Sequence, residues 1–186
     1  MVSPFLCFLD EGVFFIILSR CCSLKECSLA IRLAPVLISD ADIISAIQAA
    51  SPDVIQVNEF TTLLDDRQSP STVGYLIELA GVPGLSIKVY QTIHCLTTSN
   101  VGPNAHLVPQ TLSEGLATAN NEFRTALEGE KVRAPSVRIL SPGTFAAFRQ
   151  WKAEKMSIGP GQVKVPVILA DEASRKWILE RVVGEL

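Results

Sequence analysis

The stretch SVRILSPGTFAAF, Ser136–Phe148, joins two hydrophobic patterns at one point. Val137–Leu140 is a short, largely apolar run and reads as a strand. Beyond the turn, Phe145, Phe148 and Trp151 recur at helical spacing and predict a helix over 142–156. Between them, Ser141 can cap the helix by accepting from an early backbone N–H. Pro142 suits a first helical position, where its missing N–H would have no partner. Gly143 lets another group approach the backbone closely. The unpaired N–H groups of such a helix start carry partial positive charge and suit a carboxylate or phosphate. Ser-Pro-Gly is also an ordinary way to begin a helix, so the motif leaves a binding site and a plain cap both open.

Working outward, 163–169 reads as a strand, 171–183 as a helix led by Asp171, and 159–161 as a turn. Upstream, 85–93 alternates cleanly as a strand. Residues 94–110 read as a long loop or crossover, and 111–128 as a helix with Leu112, Leu116, Phe123 and Leu127 on one side. Strand and helix thus alternate through the second half. That order predicts an α/β fold with a parallel sheet flanked by helices, and ligands gather outside the carboxyl ends of such strands.

Residues 73–80, VGYLIELA, read as the end of a helix closed by Gly81. The polar segment 65–72 reads as a loop, and 53–58 as a buried strand. Ser39 offers an N-cap, with Asp42 as its capping-box partner, for a helix over 40–50 carrying Ile43, Ile44 and Ile47. Val13–Ser19 and Ala30–Ile38 read as strands, the second interrupted by Pro35. The expected division is an N-terminal segment, 1–65, and an α/β domain, 66–186.

Of the 186 residues, 48% are hydrophobic and 19% charged, enough to build a core. The formal charge of -3, with no basic run, disfavours nucleic-acid binding. An anionic ligand must then be held by local donors. The longest clean apolar run at the N-terminus, Val13–Leu18, is far short of the about 20 residues that span a bilayer. No basic segment precedes it, as a secretory signal would require.

Cys7, Cys21, Cys22, Cys27 and Cys95 are odd in number and have no matching His pair, so free thiols in a reducing compartment are expected over a zinc site. Such a compartment would be the cytoplasm or the interior of a plastid or mitochondrion, and the sequence does not choose among them.

Several side chains are candidates for chemistry. Tyr90 and Thr92 share a strand face, and Tyr90 is either a proton donor or a core tyrosine. His94 and His106 stand beside no nucleophile motif and read as surface residues. Glu59, at a strand end, is a candidate metal ligand or acid. Asp171 and Glu172 favour the dipole of the helix they begin but would repel an anion there.

Three segments in order, IKVYQT, VRILSPGTFAAF and VPVILADEAS, resemble the second half of uroporphyrinogen-III synthase. The resemblance covers roughly residues 73–178. It implies one and a fraction of two linked α/β domains, with an active site in the cleft between them. The implied protein is a monomer that closes hydroxymethylbilane into uroporphyrinogen III with inversion of the D ring, on the way to haem and chlorophyll. It would use no metal or organic cofactor, no nucleic acid and no membrane.

By the same resemblance, Tyr90 would assist departure of the substrate hydroxyl, and Ser141, Gly143, Thr144 and Ser174 would hold substrate carboxylates. Where that family has Gly-Pro-Thr-Thr-Ala, this chain has Ala170, Asp171, Glu172, Ala173 and Ser174. Two other readings are a non-catalytic α/β binding or interaction domain, and a metal-dependent hydrolase using Glu59.

Overall fold

The computed structural model describes residues 5–8, 13–17, 27–33, 36–50, 54–80 and 104–186. Residues 81–103 lie outside these, and with them Tyr90, Thr92, His94 and the strand expected at 85–93. The side chains of the five cysteines also lie outside what is described.

The first sheet is an antiparallel meander of β1 (Phe5–Phe8), β2 (Val13–Ile17), β3 (Cys27–Leu33) and β4 (Val36–Ser39). The second holds β5 (Val57–Asp65), β6 (Thr72–Leu79), β7 (Ser136–Leu140) and β8 (Val182–Glu185). In it β5 and β6 are antiparallel, β6 and β7 parallel, and β7 and β8 antiparallel. The chain is therefore an α/β fold with a mixed sheet, which corrects the parallel sheet expected.

The described helices are α1 (Asp40–Ala49), α2 (Val108–Ala119), α3 (Asn121–Glu128), α4 (Thr144–Met156) and α5 (Glu172–Leu179). Single 3-10 turns occupy Ala105–Leu107 and Pro160–Gln162.

β6 is the hinge of the architecture, and it is a strand where a helix was expected. It lies between β5 and β7, and every residue from Thr72 to Glu78 is buried. A strand covered on both faces loses its period of two and reads as a continuous apolar run. Its side chains alternate between two cores. Val73, Tyr75 and Ile77 join residues of α1, α2 and α3. Leu76 packs on the other face with Leu63, Leu140, Phe145, Phe148, Leu169 and Ile178, a core supplied largely by α4 and α5.

Local chemistry sets several boundaries. The capping box of α1 forms as read: Ser39 Oγ accepts from the Asp42 N–H at 3.2 Å, and Asp42 Oδ2 accepts from the Ser39 N–H at 2.9 Å. The single helix expected over 111–128 is α2 and α3, divided at Asn120. That residue is extended, and its Oδ1 accepts from the Phe123 N–H at 2.9 Å to start α3. Its Nδ2 donates to Leu37 O and Asp42 Oδ2, both at 3.0 Å, tying the break to the start of α1.

The strand expected over 163–169 is one isolated parallel bridge between Thr62 and Ile168. Thr62 N–H donates to Val167 O, and Leu169 N–H to Thr62 O, both at 2.7 Å. Pro166 sits in this segment with φ fixed and no N–H to give. The helix expected to reach 183 stops at Leu179, and Val182–Glu185 pair with β7 instead. The buried strand expected at 53–58 runs later, as β5.

Candidate functional site

The turn after β7 does meet a carboxylate, and that carboxylate belongs to the chain. Glu78, near the end of β6 and 7% exposed, reaches the start of α4. Its Oε1 accepts from the Gly143 N–H at 3.1 Å, and its Oε2 from the Phe145 N–H at 3.0 Å. Asn58 Nδ2 adds a third donor to Oε1 at 3.3 Å. Burying a charge is costly unless it is hydrogen-bonded. A helix N-terminus offers the needed donors together with a favourable dipole.

Gly143 supplies the bend with φ of 79°, a left-handed conformation that side chains disfavour. Ser141 does not cap α4 as expected, because the helix begins at Thr144. Instead Thr144 Oγ1 donates to Ser141 O at 2.6 Å, which leaves the Ser141 hydroxyl to donate to Thr144 Oγ1 at 3.0 Å. The structure thus brings Ser141, Gly143 and Thr144 together in one rigid corner. It fills that corner's outward N–H groups from within.

The second junction forms an open cleft of 220 Å³ lined by Phe148, Lys152, Met156, Ile158, Gln162, Val163, Lys164, Pro166 and Asp171. Asp171 caps α5 as the sequence indicated, its Oδ1 accepting from the Ser174 N–H at 2.9 Å. Lys152 Nζ donates to Asp171 Oδ2 at 3.0 Å and to Ser174 Oγ at 2.8 Å. Burial pushes the Asp171 carboxyl up, but Ser174 and Lys152 outweigh it and hold it below its ordinary value. The acid expected to repel an anion there is thus already paired, with Lys152 and the Ser174 N–H. Ser174 is fully buried and serves this pairing.

Behind the cleft, Phe148 lies 5.7 Å from Trp151 and 5.6 Å from Trp177, ring centre to ring centre, and the two indoles stack at 5.3 Å. Arg181 lies over Trp177 and Lys155 over Trp151, at 3.3 and 4.4 Å from the ring centres.

A third polar cluster lies at the far end of β5. Asp65, 2% exposed, takes Arg138 at 2.7 Å, Arg67 at 2.8 Å and the Ser136 hydroxyl. Arg67 also grips Glu185 on β8. Burial alone would raise the Asp65 carboxyl; the hydrogen bonds from Arg67, Ser136 and Arg138 reverse that and hold it far below the usual range. This cluster fastens β5 to the loop that follows it and to β7 and β8.

Glu59 is held by Arg149 of α4. Among the described residues, no three His, Cys, Asp or Glu side chains are placed to hold a metal. His106 is exposed, as its surface reading predicted.

This arrangement, a mixed sheet with helices on both faces and its corner closed by an internal carboxylate, defines an α/β domain of known family. The model described as "GH3 family C-terminal domain" matches residues 41–173, and the chain belongs to that family as its C-terminal domain. Two solved structures share the fold. One is titled "GH3.15 acyl acid amido synthetase", with a TM-score of 0.62 and 14% identity. The other is titled "AtGH3.15 acyl acid amido synthetase in complex with 2,4-DB", with a TM-score of 0.65 and 14% identity. Each match covers 94% of this chain and 30% of the other, so the chain spans less than a third of their length. No curated protein matches.

The family match overturns the resemblance to uroporphyrinogen-III synthase, and with it hydroxymethylbilane as substrate and any place in haem or chlorophyll synthesis. The motifs behind that resemblance are strand-to-helix junctions. Any α/β fold must solve the same capping problem at such junctions, so short motifs of this kind transfer poorly between families.

Sequence reasoning also missed Glu78 and Lys152. Glu78 had a signal: one acid inside an apolar run must be buried with a partner. Lys152 had none, because its partners lie 19 and 22 positions away on another helix.

Proposed function

We propose that this domain serves an acyl acid amido synthetase, the activity named for its structural neighbours, as a module that forms no bond by itself. The family match over residues 41–173, which takes in most of the mixed sheet, both junctions and the cleft, carries this reading. Making an amide from an acid requires an activated carboxyl group and an amine held in line with it. Positioning supplies much of the rate in such two-reactant steps.

The domain offers a cleft lined by Lys152 and Lys164, next to the start of α5 that Asp171 caps. Under this reading Ser141, Gly143, Thr144 and Ser174 are positioning residues: they fix the ends of α4 and α5 against the sheet.

The test replaces the C-terminal part of a GH3.15 acyl acid amido synthetase with this chain and supplies the parent's substrates. Mass spectrometry of the product should find the amide with the fused protein and none with the chain alone. Amide made by the chain alone, or none made by a folded fusion, contradicts the proposal.

A further inference from the structure

The mixed sheet separates two helical layers of opposite charge. On one face α1, α2 and α3 carry Asp40, Asp42, Glu114, Glu122 and Glu128 against a single base, Arg124. On the other, α4 and α5 carry Arg149, Lys152, Lys155, Arg175 and Lys176 against Glu154 and Glu172. Just outside those two helices, Lys164 and Arg181 offset Asp171 and Glu180. Arg149 and Lys152 are engaged with Glu59 and Asp171, while Lys155 and Lys176 are exposed. Such a separation gives each face a potential that the net charge of -3 conceals.

The basic layer is also a place where apolar side chains reach solvent. Met156, the last residue of α4, is 56% exposed, and Ile158, two positions on, is 37% exposed. Nearby, the stacked indoles of Trp151 and Trp177 carry Lys155 and Arg181 over their rings. Exposed apolar residues standing singly are ordinary, but Met, Trp and Arg gathered together are the composition of a protein interface.

The acidic layer holds the complement. Beside the close crossing of α1 and α2, the two helices leave an open groove of 430 Å³. Ala41, Ala49, Gly115 and Ala119 give it small side chains. Asp42 and Glu114 are its charged residues, and no Lys or Arg lines it. Asn120 donates to Asp42 and Gln110 to Glu114, and neutral amides do not cancel a carboxylate's charge.

We propose that copies of this chain associate head to tail. The basic layer of one copy docks on the α1–α2 groove of the next, Met156 entering among the small side chains and Lys155 facing Asp42 and Glu114. Matching potentials of opposite sign steer such an encounter and fix its register. The two patches differ and lie on opposite faces of the sheet, so the contact is heterologous and does not close as a two-fold pair would. Each pair keeps one patch of each kind free, and assembly grows with concentration. The inference goes beyond the synthetase reading and rests on nothing in it.

Sedimentation velocity of the full chain tests this. In about 20 mM salt the sedimentation coefficient should rise with concentration, with a Kd on the order of 100 μM; in about 500 mM salt the chain should run as a monomer. Glu114 and Met156 are exposed, so E114K and M156E should melt like the wild type. Alone, each should associate about tenfold more weakly. An equimolar mixture should restore a pair and nothing larger, because M156E keeps an intact groove and E114K an intact basic layer. Monomers at about 1 mM in low salt, association that E114K leaves unchanged, or a mixture no stronger than its components overturns the proposal. So does a monomer that floats with phosphatidylserine vesicles instead, which would assign the basic layer to an anionic lipid surface.

Discussion

Glu78 and Gly143 lie 65 positions apart, and the Gly143 N–H donates to Glu78 Oε1 at 3.1 Å. With the Phe145 N–H on the second oxygen, this contact joins the central strand to the start of α4. A hydrogen bond to a charged group contributes about 1.5–3 kcal/mol, and a charge at a helix N-terminus about 0.3–1 kcal/mol or more. E78Q keeps the shape and loses the charge and one acceptor, so it should cost about 1–2 kcal/mol. E78A strands three donors and should cost about 3 kcal/mol. Urea unfolding at neutral pH measures both; a loss below about 0.5 kcal/mol for E78A would contradict the assignment.

Acid should loosen the Asp65 cluster. Asp65, Glu185 and Asp171 all have folded-state values below their ordinary ones, 3.8 for the two aspartates and 4.5 for Glu185. Groups lowered in this way stabilise the fold fully above their unfolded values, and the contribution is lost as pH falls toward the folded ones. Urea midpoints should therefore hold steady above about pH 5 and decline below about pH 4. D65N leaves Arg138 buried with a weakened partner and should cost about 3 kcal/mol at pH 7. Equal stability at pH 7 and pH 3, or no cost for D65N, would refute the role given to this cluster.

Two glycines should respond to alanine for different reasons. A Cβ on Gly115 of α2 would stand 2.9 Å from Ala46 Cα and 3.1 Å from Ala46 O, where α1 crosses. Overpacking against backbone costs about 1–3 kcal/mol, more than the about 1 kcal/mol gained in helix propensity. G115A should be destabilised and G115L largely unfolded. Gly143 has open space around it, so G143A should lose only about 1 kcal/mol, from its left-handed backbone. A stabilised G115A, read by thermal melting, would show that the helices do not meet as described.

What the sequence disclosed was local chemistry. The capping box of Ser39 and Asp42, the Asp171 cap and the helix through Phe145, Phe148 and Trp151 depend on neighbours within a turn or two, and all three form. Tyr75 and Ile77 misled because β6 is buried on both faces, where strand and helix patterns converge. Asn120 broke a helix through partners 78 and 83 positions away, which periodicity does not register.

The candidate site followed the same rule. The corner at 141–145 was visible as a place for an anion, but its occupant was not, because Glu78 comes from a strand read as a helix. A wrong element hid the right partner, and short junction motifs then suggested the wrong family.

The anion required by the 136–148 stretch is thus the chain's own, and formate titration tests this most directly. In the wild-type protein the ¹⁵N–¹H signals of Gly143 and Phe145 should not shift saturably with formate, because Glu78 holds both amides. In E78A the emptied corner should take formate with a Kd on the order of 10 mM, moving both signals and restoring part of the lost stability. Saturable binding at these amides in the wild type, or E78A signals that neither differ from wild type nor respond to formate, would contradict the account.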